Sequence, residues 1–320
     1  MVILLSFMVE YASAERNFLY GQNVNAEGEM SKSFGAELNV YNEELFLECC
    51  LEGLLPDIDE CVIINGSPNG PSTDGSFKII EKYIKMYPDK IKYLEGAWAN
   101  PDGTWDETSQ VNFGFKHITT DFVIRTQCDV IFDYGAIHKI KEALQKFPQK
   151  KLFYAQEIDF FLDTDHILLY EFPIENNMPH PASIDPVALA MDAKPTALHI
   201  GEARRFGVVM GSGEIGRENI QWVADVRKYH FGYIRPIKPT FFDVLALMKC
   251  GNLLPLDEMA TLDNEGYYRR ALKHVLDYKD TTHYDYCGYF PEIALPLKGM
   301  SLLDGYEEFM EWFNTEPWRE

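Results

Sequence analysis

This sequence predicts an α/β fold, a mainly parallel sheet flanked by helices with a helical extension at the C-terminus, on three observations. Short apolar runs alternate with amphipathic stretches from residue 34 to about residue 150, and that order is the pattern of parallel β-α units. Polar residues and glycines gather just after the apolar runs, where open α/β sheets place their ligand crevices. The 320 residues are 46% apolar and 14% aromatic, enough to bury a core, so global disorder is excluded.

The elements follow in order. Residues 36–40 are read as the first strand, and Asn42 as the cap of a helix over 43–54 that turns Leu45, Phe46, Cys49 and Leu54 toward the sheet. Residues 60–64 form a buried strand, and a loop of Gly, Ser, Pro and Asn over 65–75 leads into a helix over 76–87. A strand at 91–94 precedes a helix over 108–117. A strand at 121–126 empties into Gln127-Cys128-Asp129, and a helix over 134–144 follows. Tyr41, Asn65 and Asp129 all fall at strand ends, so one shared site is expected.

Beyond this, a strand at 152–156 precedes a passage over 159–192, rich in Pro, Asn and Asp, that reads as irregular. Asp163, Asp165 and His166 in it resemble a metal cluster, yet an acceptor-side loop is the expected use. Residues 221–226 and 229–236 are ordered runs, with helical stretches near 241–250 and 264–278. The tail over 302–318 is amphipathic, and Phe309, Trp312 and Phe313 suit docking onto the domain or a homodimer contact. The expected division is an extension at 1–33, the α/β domain at 34–240 and helices at 241–320.

The net charge of −21, from 50 acidic against 29 basic residues, excludes extended nucleic-acid binding, which depends on neutralising phosphates. A metal cation is the natural bridge between an acidic protein and an anionic substrate. Six cysteines, at 49, 50, 61, 128, 250 and 287, show no C-x-x-C pair. They read as reduced core residues of a cytoplasmic protein. The apolar run over 1–9 with Ala12-Ser13-Ala14 has the look of a secretory leader, but no Lys or Arg precedes it and Glu10 follows at once. It is also shorter than the roughly 20 residues of a membrane span, so no transmembrane segment is expected.

Tyr41-Asn42-Glu43-Glu44 after a strand, a strand ending in Asn65-Gly66-Ser67, and Ser72-Thr73-Asp74-Gly75-Ser76 opening a helix resemble family two glycosyltransferases of the GT-A fold. Gln127-Cys128-Asp129 occupies the place of that family's Asp-x-Asp motif. Tyr229-His230-Phe231-Gly232-Tyr233-Ile234-Arg235-Pro236 is similar to the segment that closes the family's catalytic domain. The resemblance covers residues 34–150 well and continues weakly to about 240.

It implies a nucleotide-sugar donor, UDP- or GDP-linked, a hydroxyl acceptor, inversion at the anomeric carbon, and Mn²⁺ or Mg²⁺. Such a cation takes up charge on the departing diphosphate and keeps only one or two protein carboxylates. Asp129 is the implied metal ligand and His230 the second, against the alternative that His230 packs between Tyr229 and Phe231. Tyr41, Glu43, Asn65, Asp74, Asn112 and Gln127 are implied donor contacts. Gln127 replaces an Asp of the family, and Asn65 and Asn112 stand where relatives carry Asp and a basic residue.

Asn42, Glu43 and Glu44 equally suit a helix start, and Asp74 equally suits loop ordering or capping. The general base would be Glu202 in Gly201-Glu202-Ala203-Arg204-Arg205, or Glu214, unless Glu202 pairs with Arg204 or Arg205 at the surface. Arg204, Arg205 and Arg235 would add positive potential for the diphosphate. Two rivals remain open: a nucleotidyltransferase of related fold, and a non-catalytic module that binds a sugar nucleotide or glycan.

Overall fold

The computed structural model describes residues 32–101, 105–168, 187–200, 205–210, 217–249, 261–277, 284–286, 288, 290–315 and 317. They belong to one compact unit, Lys32–Glu320. The expected extension at 1–33 lies outside the described residues apart from Lys32 and Ser33.

Strand β1 (Phe34–Val40) sends Phe34, Ala36, Leu38 and Val40 into one core. Helix α1 (Leu47–Leu54) begins four residues later than the sequence suggests. Asn42 does not cap it: its φ is 56°, and its Oδ1 accepts from the Thr73 amide at 2.8 Å. The reason lies in the loop over 72–76, which crosses this turn. Ser76 Oγ accepts from the Glu43 amide at 2.8 Å and Asp74 Oδ2 from the Glu44 amide at 3.0 Å. Those amides are therefore satisfied from outside, and no helical turn is needed to satisfy them.

Strand β2 (Glu60–Ser67) runs past its apolar stretch because Asn65, Gly66 and Ser67 pair with Glu95, Gly96 and Ala97 of β3 (Ile91–Ala97). Between them lies α2 (Ser76–Met86). Helix α3 (Glu107–His117) is capped by Asp106, which accepts from the Ser109 amide at 2.9 Å. Strand β4 (Phe122–Gln127), a two-residue turn, β5 (Val130–Phe132) and α4 (Ala136–Lys146) complete this half.

The strands β3-β2-β1-β4 are adjacent and parallel. One face is covered by Leu47, Leu51, Ile80, Tyr83, Ile137 and Ile140 from α1, α2 and α4. The other packs Val62, Ile64 and Val123 against Val111 and Phe115 of α3. Parallel strands are stable only with both faces covered, each large apolar side chain contributing about 1.5–3 kcal/mol. The register puts Asn65 opposite Val40 and Gln127 opposite Asn39, so the carboxyl ends of β1, β2 and β4 share one edge.

The passage expected to be irregular from residue 159 starts instead as sheet. Strand β6 (Leu152–Phe161) runs ten residues, and Asp163, Asp165 and His166 lie on β7 (Asp163–Leu168). Their backbone groups are satisfied by strands distant in sequence, β8 (Ala188–Ala190), β11 (Ile220–Tyr233) and β12 (Tyr284–Asp285), which local composition cannot reveal. Residues 169–186 of that passage lie outside the described residues. Strands β9 (Pro195–Ile200) and β10 (Arg205–Met210) form a separate antiparallel pair.

The ordered runs at 221–226 and 229–236 fall on the single strand β11 as far as Tyr233, with 234–236 just beyond its end, and β11 pairs parallel with β6 and antiparallel with β5. Helices α5 (Ile237–Lys249), α6 (Asn264–Asp277) and α7 (Tyr306–Phe313) pack around Phe241, and α7 buries Phe309 and Phe313 there. The aromatic tail therefore docks on its own chain. Cys49, Cys50, Cys61 and Cys128 are buried free thiols. Among the described residues no helix is long and apolar enough to cross a membrane.

Candidate active site

The β4–β5 turn is held from both sides. Cys128 Sγ donates to the Asn39 carbonyl at 3.2 Å, and the Phe231 amide donates to the Asp129 carbonyl at 2.8 Å. Pairing of His230 with Val130 across β5 and β11 then brings the His230 ring beside Asp129, with Nε2 at 3.5 Å from Oδ2. Arg235, just past β11, reaches the same carboxylate at 3.9 Å, donates to Glu43 Oε2 at 2.8 Å, and lies 5.1 Å over the Phe46 ring. Glu43, Asp129, His230 and Arg235 thus form one cluster at the mouth of the parallel strands.

The other side of the imidazole is engaged as well. His230 Nδ1 lies 2.5 Å from Asp159 Oδ1 and 4.0 Å from Glu157 Oε1, while Lys228 Nζ pairs with Glu157. Alternation along a strand puts Lys228, His230 and Gly232 on one face, and Glu157 and Asp159 on the matching face of β6. Tyr229, Phe231, Ile158 and Phe160 fill the apolar cluster behind.

Burial opposes charge on Asp129, but His230 and Arg235 outweigh it and hold its carboxyl below the usual range. Burial likewise opposes charge on His230, yet Asp129 and Asp159 raise its basicity well above that of free imidazole. Burial raises Asp159, with the His230 contact opposing.

Two features suit a cation. Asp129 Oδ1 is buried and accepts no hydrogen bond, a costly state for a carboxylate oxygen unless something else meets it. A methyl group at Gly232 would stand 2.6 Å from Asp129 Oδ2 and 2.7 Å from His230 Nε2, so the absence of a side chain keeps the space between them clear. Glu157, Asp159 and His230 also lie within 4.8 Å of one another. In that trio the Lys228 ammonium already neutralises Glu157, and Asp159 already meets Nδ1.

The remaining expected residues are distributed along the same edge. Tyr41 meets the Trp105 ring edge-on, centroids 5.9 Å apart. Asn65 Oδ1 accepts from the Ser72 amide and hydroxyl at 2.9 and 2.6 Å, and its Nδ2 donates to Tyr93 at 3.0 Å. Asp74 accepts from the Ser76 and Glu44 amides at 2.9 and 3.0 Å, engaging both of its oxygens within the protein. Gln127 is exposed at the end of β4, and Asn112 is half-buried on α3. Glu202, Glu214 and Arg204 lie outside the described residues, and Arg205 opens β10. His166 is engaged by Asp163 at 2.6 Å on β7. Sequence reasoning missed Glu157, Asp159 and Lys228; the available signal was the polar-apolar alternation of Glu157-Ile158-Asp159-Phe160.

The sheet, its covering helices and the acidic turn past β4 form an α/β fold similar to the GT-A type. Residues 38–176 match the family model described as glycosyl transferase family 2. Among solved structures, TarS of S. aureus is similar at a TM-score of 0.41 and 14% identity, over 78% of this chain and 44% of that one. This chain thus spans less than half the length of that protein. A TarS fragment, residues 1–349, in complex with UDP-GlcNAc is similar at 0.41 and 14%, over 77% and 72%. Glucosyl-3-phosphoglycerate synthase of M. tuberculosis is similar at 0.42 and 12%, over 81% and 88%. None of the curated proteins compared matches the chain.

Proposed function

We propose that this chain transfers a sugar from a nucleoside diphosphate sugar, UDP- or GDP-linked, to a hydroxyl acceptor, with inversion at the anomeric carbon. The observation that carries this is Asp129 beside His230 past β4, with one carboxylate oxygen unpartnered and Gly232 leaving the space between them clear. The family match over residues 38–176 supports it. Asp129 and His230 would hold Mn²⁺ or Mg²⁺, and an imidazole in the set favours Mn²⁺, because Mg²⁺ prefers oxygen ligands. When bound, the cation supplies Lewis-acid stabilisation of the charge developing on the departing diphosphate.

The chain's own groups do the rest. Arg235, fixed by Glu43 and the Phe46 ring, adds preorganised positive potential beside Asp129. Tyr41, Glu43, Asn65 and Gln127, near the strand ends, would be donor contacts, Asn112 would serve the diphosphate, and Asp74, a further candidate contact, holds the loop that carries Ser72 against Asn65. Glu202, with Glu214 as the second candidate, removes the acceptor hydroxyl's proton. Residues 34–240 form the catalytic part and the helices of 241–320 buttress it. The buried thiols suit a reducing, cytoplasmic compartment.

The test is incubation of the purified chain with a panel of UDP- and GDP-sugars, with and without Mn²⁺, reading release of the free nucleoside diphosphate. Slow release from one donor, only with the cation, is expected. Pyrophosphate release from a nucleoside triphosphate would point to a nucleotidyltransferase instead, and donor binding without release on any acceptor to a non-catalytic module.

Gly232→Ala is a sharper probe of the site. The atoms its methyl group would displace belong to the side chains of Asp129 and His230 rather than to backbone, but both are held by other partners, so a loss of about 1–3 kcal/mol with the fold kept is expected. Ligands displaced by a fraction of an ångström should cost about a hundredfold in activity. Melting temperature and donor hydrolysis, measured on the same sample, check both halves.

A further inference from the structure

We propose that Asp159 is the positioning residue of this site, fixing the His230 ring through Nδ1 so that Nε2 faces the space beside Asp129 and offers its lone pair to a cation held there. This role rests on the reading that Asp129 and His230 hold a divalent cation.

Three observations converge on it. The 2.5 Å contact between Asp159 Oδ1 and His230 Nδ1 is made by a carboxylate only 3% exposed, on a ring whose side chain is 15% exposed. Both partners are largely screened from solvent. The parallel register of β6 with β11 pairs Asp159 with His230 and Glu157 with Lys228, so the contact is set by backbone pairing as well as by side-chain packing. The ring's far nitrogen, Nε2, is then the one that faces Asp129.

A neutral imidazole carries one N–H, and a carboxylate at Nδ1 keeps it there, leaving Nε2 unprotonated toward a cation. Without Asp159 the ring is free to take the opposite tautomer, which would turn a hydrogen toward the cation. Lys228 has the complementary task. By pairing with Glu157 it stops the acid-rich side of the ring from becoming a competing cation site. That competing arrangement would need Nδ1 as ligand and would leave Asp129 unused.

The experiment is Mn²⁺ binding by the 320-residue chain, read from the paramagnetic resonance signal of free Mn²⁺, for wild type, Asp159→Ala, Asp159→Asn and Asp129→Ala. Asp159→Ala is expected to weaken binding about 10–100-fold. Asp159→Asn, whose amide oxygen can still accept from Nδ1–H, should weaken it by less than about tenfold on the same scale. Nitrogen NMR of the histidine ring in wild type loaded with cadmium, a diamagnetic stand-in, should show the metal on Nε2 and a proton on Nδ1.

Metal on Nδ1, or unchanged Mn²⁺ affinity in Asp159→Ala, overturns the proposal while leaving the cation itself in place. Undiminished binding in Asp129→Ala also overturns it, because the acid trio would then be the site. Wild type that binds no Mn²⁺ sinks the cation reading and this role with it. Should the alanine variant fail to fold, the NMR measurement on wild type still decides.

Discussion

Asp129→Ala is expected to lower nucleoside diphosphate release from the donor about a thousandfold while the protein stays folded. A bound cation contributes several kcal/mol of charge stabilisation at the departing diphosphate, and each 1.36 kcal/mol is a factor of ten in rate. If Asp129 holds that cation as proposed, removing its carboxylate should remove most of that contribution. The fold survives because the groups around it keep other partners, Arg235 with Glu43 and His230 with Asp159. Donor hydrolysis at saturating Mn²⁺, beside a circular dichroism melt, is the measurement. A variant within about tenfold of wild type on that rate scale would remove Asp129 from the mechanism.

Glu37→Gln is expected to stabilise the protein strongly at alkaline pH and hardly at all in acid. Glu37 sits mid-way along β1, fully buried beneath Gly114 of α3, and neither carboxyl oxygen has a hydrogen-bond partner. Burial pushes its pKa up to about 8; Arg125 opposes this and Glu107 adds to it. The sign follows from linkage. Between the ordinary carboxylate range, near 4.5, and about 8, the folded chain holds a proton that the unfolded chain has lost. Stability therefore falls as pH rises through that window. At 1.36 kcal/mol per pKa unit the full loss is about 5 kcal/mol, reached above pH 8.

Glutamine, a neutral isostere of the protonated acid, lacks that dependence. Urea unfolding at pH 5 should give two nearly equal stabilities, and at pH 9 a variant more stable by several kcal/mol on the same scale. Parallel pH profiles for the two proteins would mean that Glu37 ionises normally.

Local signals in the chain specified a good deal. The alternation of β and α from residue 34 to 150, the polar residues after each apolar run, and Asp129 at the exit of β4 were all legible, because side-chain periodicity and turn chemistry act over a few neighbouring residues. The same locality misled at Asn42, where the text of a helix cap was satisfied by a loop 31 residues on, and in the run from Asp159, where extended backbone found distant partners.

The site was decided at longer range. Glu43 and Arg235 meet across 192 residues of sequence, and His230 and Asp159 across 71. Which nitrogen of His230 faces Asp129, and which acid stands behind it, follows from β11 lying between β5 and β6 in one particular register. Residue types and their local spacing select each element and the chemistry it brings. Only the packing of strands remote in sequence settles which of those groups come within hydrogen-bonding distance, because strand register is set by contacts summed over the whole sheet.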